Sequence, residues 1–407
     1  MSGKLGSIPV VSRPMAKHVA VADRDIPANN AKVMAVTSYA RPDDATPNQG
    51  YIPVNKGHFD LEPPERAAAF SEKLGRGWES DYREYRRLWE ELPVRKEVRD
   101  YPLLVDLELS SRCNLKCPMC PTVTDEFIDK RVKPFKRGAM DFVLATKIID
   151  EVAGKAYALR LSWVGEPLLN PKFVEIVRYA KQKGIREISF LTNGTKLRPD
   201  YFKKVAEAGV DWITISVDGM GDTYNRIRAP LRFDETIEKI RAIKRYKEKH
   251  GLEKPVIKIQ GVWPAVRENP EDFYNTLAPI VDLVAFNPLI DYLHKDSDIV
   301  YEDNFSCPQY YQRLVIASNG DAAMCSNDDN VTVVVGNAYE QSIHQIWHGE
   351  KMQRLRDIHA RKDGFKEILA CARCYYPRKT APDEMARING REIHIENYVN
   401  RKQDVGQ

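Results

Sequence analysis

The chain has 407 residues, which is enough for more than one small domain, and its 62 basic and 58 acidic side chains leave a formal net charge of only +4. A hydrophobic content of 43% is ordinary for a soluble globular protein, and a nearly balanced charge without a dense basic block argues against a nucleic-acid-binding protein. A mostly apolar stretch, residues 277–286, is too short to span a membrane, and Asp282 interrupts it.

The seven cysteines are an odd number, and the first residues show no apolar core of signal-peptide length. This combination favours reduced, metal-binding thiols over disulfides and a cytoplasmic location. The cysteines fall into a group of three within residues 113–120 and a group of four between residues 307 and 374. We therefore expect two metal sites that together use every cysteine.

The first hundred residues precede the regular part of the pattern. Residues 1 to about 60 are rich in Pro, Ala, Asn and Asp and predict an extended arm. Residues 63–89 carry apolar side chains at three- and four-residue steps and predict a helix, which Gly75 and Gly77 should break in two.

From residue 103 onward, predicted strands alternate with predicted helices over short connections. Such alternation indicates an α/β fold with a parallel sheet and right-handed crossovers. The predicted strands are residues 103–109, 157–163, 188–191, 212–217, 256–262 and 282–286, and the helices are residues 140–152, 171–183, 199–208, 233–249 and about 271–277.

The first predicted strand leads into the sequence LELSSRCNLKCPMCP, which places Cys113, Cys117 and Cys120 in a C-x3-C-x2-C spacing. Cysteine thiolate is the usual ligand of iron–sulfur clusters, whereas structural zinc normally takes four ligands and no fourth Cys or His lies nearby. A [4Fe–4S] cluster on three cysteines leaves one iron open, and that iron can bind a small molecule.

This motif resembles the cluster motif of the radical S-adenosylmethionine (SAM) superfamily. The resemblance implies a partial (β/α)6 barrel in which SAM binds the open iron through its amino and carboxylate groups. Reductive cleavage of SAM would then give a 5′-deoxyadenosyl radical that abstracts a substrate hydrogen, with a flavodoxin or ferredoxin as the reductant protein. Ligands of such barrels bind at the C-terminal ends of the strands.

The end of the second strand resembles the family's Gly-Gly-Glu-Pro segment, which receives the methionyl amine of SAM. Val164 replaces the first glycine, so only Gly165 and Glu166 match. The resemblance therefore implies that these two residues contact SAM.

The third and fourth strands end in Thr-Asn-Gly and Ser-Val-Asp-Gly. In the family these ends meet the ribose and carboxylate of SAM, which implies contacts from Asn193 and Ser216. An arginine soon after the fourth strand pairs with the SAM carboxylate; Arg228 is the best match and Arg226 the alternative. Residues 286–288 end the sixth strand and either face the substrate or form a plain loop.

The second cysteine group consists of Cys307, Cys325, Cys371 and Cys374. Short strands at 313–317 and 322–325, an apolar β-branched segment at 331–335 and an amphipathic helix at 342–359 surround it. Four thiolates on a hairpin and a C-x2-C knuckle allow either a zinc ribbon or an iron–sulfur cluster.

The order and spacing of these four cysteines resemble the twitch domain, the shortened relative of the SPASM domain, and imply one auxiliary [4Fe–4S] cluster. The expected layout is an N-terminal arm with helices (1–100), the barrel (101–300), the small hairpin-and-helix auxiliary-cluster domain (301–380) and a C-terminal tail (381–407).

The arrangement is similar to that of the aminocyclitol dehydrogenase type of radical SAM enzyme, found in butirosin biosynthesis. This similarity implies a small-molecule substrate and oxidation of a secondary alcohol of a sugar, sugar nucleotide or cyclitol, with the electron passed to the auxiliary cluster. The base that removes the hydroxyl proton stays unassigned, because Arg, His or Tyr near the strand ends could serve.

Two alternatives remain open. SPASM-type enzymes also modify ribosomal peptides, although the N-terminal segment lacks the strand-rich pattern of their usual peptide-binding domain. Redox-neutral epimerisation commonly uses a free cysteine as hydrogen donor, and here the two clusters account for all seven.

Overall fold

The structure of the chain is a computed structural model that describes residues 52–53, 59–134, 138–288, 290–291, 296–401 and 405. The predicted N-terminal arm therefore lies almost entirely outside the described residues. No helix in the described ranges is long and apolar enough to cross a membrane.

A mixed sheet of ten strands forms the framework, in the order β1-β7-β6-β5-β4-β3-β2-β8-β9-β10. From β7 to β8 in this order, neighbouring strands run parallel, whereas β1 pairs antiparallel with β7, β9 with β8 and β10 with β9. The strands are Phe59–Asp60 (β1), Leu104–Leu107 (β2), Ala158–Arg160 (β3), Glu187–Thr192 (β4), Trp212–Ser216 (β5), Val256–Val262 (β6), Leu283–Asn287 (β7), Arg313–Ile316 (β8), Asp321–Ala323 (β9) and Val334–Asn337 (β10).

Helices follow the strands as the sequence predicts, and the β2–β7 segment forms the expected partial (β/α)6 barrel. Asp141 caps α4 by accepting a hydrogen bond from the Val143 amide, and Gly209 ends α6 with a positive φ of 99°. The helices are Pro64–Gly75 (α1), Glu79–Arg95 (α2), Asp125–Phe127 (α3), Phe142–Val152 (α4), Phe173–Gln182 (α5), Pro199–Ala208 (α6), Gly221–Ile227 (α7), Phe233–Lys249 (α8), Trp263–Val266 (α9), Pro270–Leu277 (α10), Gln309–Gln312 (α11), Ile343–Trp347 (α12), Glu350–His359 (α13) and Leu369–Arg373 (α14).

The C-terminal cysteine hairpin is part of the barrel sheet. Its first strand, β8, pairs in parallel with β2 over the register Leu104–Arg313 to Leu107–Ile316. The buried Asp106 carboxylate lies between two guanidinium groups, 3.3 Å from Arg313 Nε and 3.6 Å from Arg160 Nε. Strand β2, which delivers the first cysteine loop, is therefore fixed directly to the hairpin that carries Cys325.

One helix prediction is confirmed and another is wrong. The break at residues 75–77 is present, and Gly77 has a positive φ of 88° there. The single helix predicted over residues 342–359 is instead two helices, α12 and α13. They separate at Gly349, where an added Cβ would lie only 2.9 Å from the Gln345 carbonyl oxygen.

The expected C-terminal tail contains a second, two-stranded sheet formed by Thr380–Ile388 (β11) and Arg391–Tyr398 (β12). Asn389 and Gly390 form its turn with positive φ values of 48° and 77°. Asn-Gly is a strong hairpin signal that could have identified this hairpin from the sequence. The hairpin packs on the barrel, where Glu384 accepts a hydrogen bond from the Trp263 indole.

Glu187, the first residue of β4, is a buried carboxyl at the N-terminal end of the barrel. Burial raises its pKa to about 7, and the neighbouring Asp211 charge acts in the same direction. The nearby Arg86 and Arg160 charges oppose this shift without cancelling it. The folded protein therefore holds a proton here that the unfolded chain would release near its ordinary carboxyl pKa.

We expect Glu187→Gln to stabilise the protein only at higher pH. Because the folded-state pKa is raised, the wild type loses stability as pH increases from about 4.5 to about 7, and a neutral amide avoids up to roughly 3 kcal/mol of this loss. Anaerobic thermal unfolding should give matching midpoints at pH 4.5 and a higher midpoint for the variant at pH 8. A midpoint difference that does not change with pH would contradict this account.

Candidate active site

A cavity of about 250 Å³ lies at the C-terminal ends of the barrel strands. The loops after β2, β3, β4, β5 and β7 and the last residues of β6 all contribute to its wall, as the strand-end rule for such barrels predicts. Asn287 and Pro288 are among the lining residues, so the end of the sixth barrel strand faces the cavity. The structure thus brings together strand ends that are far apart in sequence.

The three cysteines of the first group all line this cavity and are free of disulfides. N–H and O–H groups donate to two of the sulfurs: Leu115 N lies 3.5 Å from Cys113 Sγ, and Thr122 Oγ1 lies 3.1 Å from Cys120 Sγ. Burial raises the pKa of the Cys117 thiol to about 11. These thiols therefore need a bound cation to become thiolates at neutral pH, which fits iron ligation.

Gly165 permits the close approach of the β3 loop to the first cysteine loop. A Cβ added there would lie 2.1 Å from the Ser110 carbonyl oxygen and 2.8 Å from that of Arg112. The next amide, Glu166 N, donates to the Arg112 carbonyl oxygen at 2.8 Å. Only glycine fits this contact, so the residue has a packing role whether or not it also contacts SAM.

Glu166 is a buried carboxylate that lines the cavity and joins β3 to β4. One of its oxygens accepts from the Thr192 hydroxyl at 2.8 Å, and the other accepts from Asn193 N at 2.7 Å. Burial raises its pKa above the ordinary value although these groups donate to it. A carboxylate can accept about four hydrogen bonds, so capacity for a ligand ammonium group remains.

Asn193 also lines the cavity, but its amide is engaged within the protein. Its Nδ2 donates to Asn114 Oδ1 at 2.9 Å, and its Oδ1 accepts from Thr195 N at 2.9 Å. Nδ2 also lies 3.6 Å from Cys113 Sγ. The side chain therefore ties the end of β4 to the first cysteine loop.

Ser216 and Arg228 complete the predicted set of cavity residues, while the alternative Arg226 is exposed. Arg228 Nε donates to Asp218 Oδ2 at 2.6 Å, and Asp218 Oδ1 accepts from Val262 N at 3.0 Å. Asp218 is a functional residue that its sequence motif, Ser-Val-Asp-Gly, did not single out. The ion pair fixes the guanidinium in the cavity wall.

The second cysteine group surrounds a separate small cavity in the C-terminal part of the chain. Three of the four are buried, none forms a disulfide, and burial raises their pKa values. Asn327 Nδ2 and Tyr376 N lie 3.4 and 3.5 Å from Cys374 Sγ, and Tyr310 Oη lies 3.8 Å from Cys371 Sγ. Tyr310 and Tyr376 line this small cavity together with the four cysteines.

The spacing of the sulfurs fits iron–sulfur clusters better than zinc. Among the described residues, no three cysteine sulfurs all lie within 4.8 Å of one another. Thiolates around one zinc ion, each about 2.3 Å from the metal, would lie less than about 4 Å apart. Each cysteine of a cubane cluster binds a different iron, so a wider separation is expected there.

Residues 326–329 connect the two cysteine sites. Ser326 and Asp329 line the large cavity, while Asn327 contacts Cys374 in the other site. Trp163 Nε1 donates to the Ser326 carbonyl oxygen at 2.8 Å and holds this loop against the β3 end. Its sequence, Ser-Asn-Asp-Asp, has the composition of an ordinary turn and therefore gives no signal of this position.

Two family models match the chain, in the order that the cysteine groups suggested. The radical SAM superfamily model matches residues 107–276, and the model of an iron–sulfur cluster-binding domain, SPASM, matches residues 307–375. Residues 107–276 form a radical SAM domain. In this chain a SPASM domain follows it, and the predicted cofactors, SAM and [4Fe–4S] clusters including an auxiliary one, are confirmed.

Relatives of this radical SAM enzyme carry out different reactions. The chain is 29% identical over 278 residues to the tungsten-containing aldehyde ferredoxin oxidoreductase cofactor-modifying protein of Pyrococcus furiosus, covering 63% of this chain and 72% of that protein. It is 32% identical over 146 residues to the AdoMet-dependent heme synthase of Methanosarcina barkeri, covering 35% of this chain and 40% of that protein. Among solved structures, BtrN with AdoMet and 2-DOIA is 20% identical with a TM-score of 0.47, covering 67% of this chain and 92% of that one.

We expect Gly165→Ala to prevent cluster loading at the first site, because the added Cβ would displace the backbone of residues 110–112. Anaerobic reconstitution should leave roughly half the iron, bound at the second site. Gly154→Ala is the control: alanine strains the backbone there because Gly154 has a positive φ of 74°, but no atom lies within 4 Å of the added Cβ, so cluster loading should be unchanged. Full iron content in Gly165→Ala would contradict the packing argument.

We expect Glu166→Gln to weaken SAM binding by roughly tenfold or more, because a charge-assisted contact to the methionyl ammonium is worth about 1.5–3 kcal/mol. Calorimetric titration of the cluster-loaded variant with SAM measures the effect, and the absorption spectrum controls for intact clusters. An unchanged affinity of the variant for SAM would show that Glu166 does not contact SAM.

Proposed function

We propose that this radical SAM enzyme is a dehydrogenase that oxidises a secondary alcohol of a sugar, sugar nucleotide or cyclitol. The observation that supports this best is the position of the second cysteine site. One short loop, residues 326–329, contributes Ser326 and Asp329 to the large cavity and Asn327 to the Cys374 sulfur. A substrate in the cavity would thus lie next to a second redox centre.

SAM bound at the first cluster would supply, on reductive cleavage, the carbon radical that removes the carbinol hydrogen. Cys113, Cys117 and Cys120 would hold that cluster, with Glu166 at the methionyl ammonium and Arg228 at the carboxylate. Asp218 orients Arg228, because its carboxylate accepts from the guanidinium and is itself fixed by the Val262 amide.

Part of the cavity wall is apolar. Leu115, Met119, Val262 and Ile290 provide apolar lining. Such side chains exclude water, so a radical generated here would meet the substrate before it met solvent.

The second site is suited to accept an electron. Cys307, Cys325, Cys371 and Cys374 provide four thiolates, which would occupy every iron of a [4Fe–4S] cluster and leave no open position for a ligand. Oxidation of an alcohol to a ketone must release an electron after hydrogen abstraction, and a buried cluster next to the cavity could receive it. The initial reductant would be a small electron-transfer protein such as flavodoxin or ferredoxin.

We expect replacement of Cys371 and Cys374 by Ala to leave SAM cleavage intact and to stop ketone formation, because the electron could no longer leave the substrate. Cluster-loaded enzyme is incubated with reductant, SAM and candidate alcohols, and 5′-deoxyadenosine and ketone are quantified separately. The single variant Cys374→Ser, which keeps an oxygen ligand, serves as a milder second test.

Circular dichroism and iron content establish that the variants are folded and retain the first cluster. A folded variant without the second cluster that still makes ketone at the wild-type rate would exclude this mechanism. The second site would then be structural, and redox-neutral chemistry would become the better explanation.

A further inference from the structure

Asp329 is a carboxyl group in the wall of the large cavity, and it does not belong to the proposed SAM contacts. It follows the second-site ligand Cys325 by four residues and lines the same cavity as Cys113, Cys117 and Cys120. Its charge also raises the pKa values of Cys120 and Cys374, although burial is the larger cause for both thiols. The carboxylate therefore lies within electrostatic reach of both cluster sites.

The other carboxylates of the cavity wall are already occupied. Glu166 accepts from the Thr192 hydroxyl and the Asn193 amide, and Asp218 pairs with Arg228. Within the ranges that the structure describes, Asp329 takes part in no hydrogen bond or ion pair. Its two oxygens thus remain available to a ligand.

The cavity offers few other groups that could accept a proton. Among the described residues that line it, none is His, Lys or Tyr, and its one arginine, Arg228, is paired with a carboxylate. The Arg, His or Tyr base that the sequence allowed is therefore not found in the described wall. An unpaired carboxylate is the group that remains.

From its position in the cavity wall and its lack of a partner among the described residues, we infer that Asp329 is the catalytic base that binds the reacting hydroxyl of the substrate and takes its proton. This inference rests on the proposed dehydrogenase function. A free carboxylate also favours neutral or amino-substituted polyols over substrates that place a phosphate at this end of the cavity, because like charges repel.

The electrostatic surroundings suit a base. Burial raises the pKa of Asp329 well above its ordinary value, and the charges of Asp328 and Glu108 act in the same direction. Arg131 opposes them. Since a general base works best when its pKa approaches the working pH, a raised carboxyl pKa increases its ability to hold the proton.

The loop that carries Asp329 is rigidly held. Asp328 accepts from Thr332 N at 2.8 Å and Val333 N at 3.0 Å, and Trp163 holds the Ser326 carbonyl oxygen. Asp328 is thus used to shape the loop, whereas Asp329 is presented to the cavity. Rigid placement next to the second site matters because the proton and the electron leave the same substrate.

The proposed step balances. Per ketone formed, the alcohol gives up one hydrogen atom and then one proton and one electron. The hydrogen atom goes to the adenosyl carbon, the O–H proton goes to the Asp329 carboxylate as the C=O bond forms, and the electron goes to the auxiliary cluster. SAM is the oxidant consumed, and the electron used to cleave it is regained.

The test compares cluster-loaded wild type with Asp329→Asn, Asp329→Glu and, as control, Asp303→Asn at an exposed carboxylate. The readout is ketone formed per 5′-deoxyadenosine. Asp329→Asn should keep SAM cleavage but lower this ratio by about a hundredfold, the usual size of a general-base contribution. Asp329→Glu should restore part of it, and Asp303→Asn should match wild type.

A second readout does not depend on turnover. Infrared difference spectra of SAM-bound enzyme without reductant should show the band of a carboxyl group that titrates above the ordinary Asp range. This band should be missing from Asp329→Asn, and its frequency should shift when the alcohol is added to wild type. The same band should persist in Asp303→Asn.

The outcomes separate the two proposals. The role of Asp329 would be overturned if Asp329→Asn formed as much ketone per 5′-deoxyadenosine as wild type, or if the infrared band did not shift on addition of the alcohol. Either result would leave the proposed dehydrogenase function intact. Failure of wild type to form ketone from any alcohol would overturn both. If Asp329→Asn fails to load its clusters, Asp329→Glu provides the test. A wild-type ratio of ketone to 5′-deoxyadenosine and an unchanged infrared band in Asp329→Glu would refute the role of Asp329 as a positioned base.

Discussion

The arrangement of this protein depends on strand β2, which is paired on both sides. Strand β3 holds one edge and β8 the other, and Asp106 lies between Arg160 and Arg313 from those two neighbours. Because β2 leads into the first cysteine loop and β8 into the hairpin with Cys325, the same hydrogen-bonded ladder sets the position of both cysteine groups. The first strand of the SPASM domain therefore continues the barrel sheet, so the two domains are joined by strand pairing as well as by the chain.

Close backbone contact then fixes the first loop on the barrel. Gly165 lets the β3 loop approach Ser110 and Arg112, and Asn193 ties the end of β4 to Asn114. Residues that the family resemblance associates with SAM thus also hold the cluster loop in place. Preorganisation of this kind is expected where a reactive radical must be produced at one defined position.

The sequence was sufficient to predict features set by local order. Cysteine spacing predicted two metal sites, and the alternation of strands and helices placed Glu166, Asn193, Ser216 and Arg228 at one edge of the sheet. It could not predict partners that are distant in sequence, such as β8 beside β2 or Trp163 beside Ser326. Asp329 escaped notice for the same reason, because only the folded chain places a residue of a polar turn inside the cavity.

Deuterium transfer tests the central claim most directly, namely that the cavity presents a carbinol carbon to the SAM-derived radical. A panel of sugars and cyclitols deuterated at single carbinol carbons is incubated with cluster-loaded enzyme, SAM and reductant, and 5′-deoxyadenosine is analysed by mass spectrometry. The account predicts that one deuterium from one carbinol position appears in 5′-deoxyadenosine together with the matching ketone. Deuterium transfer with no oxidised product, or transfer only from a peptide substrate, would contradict it.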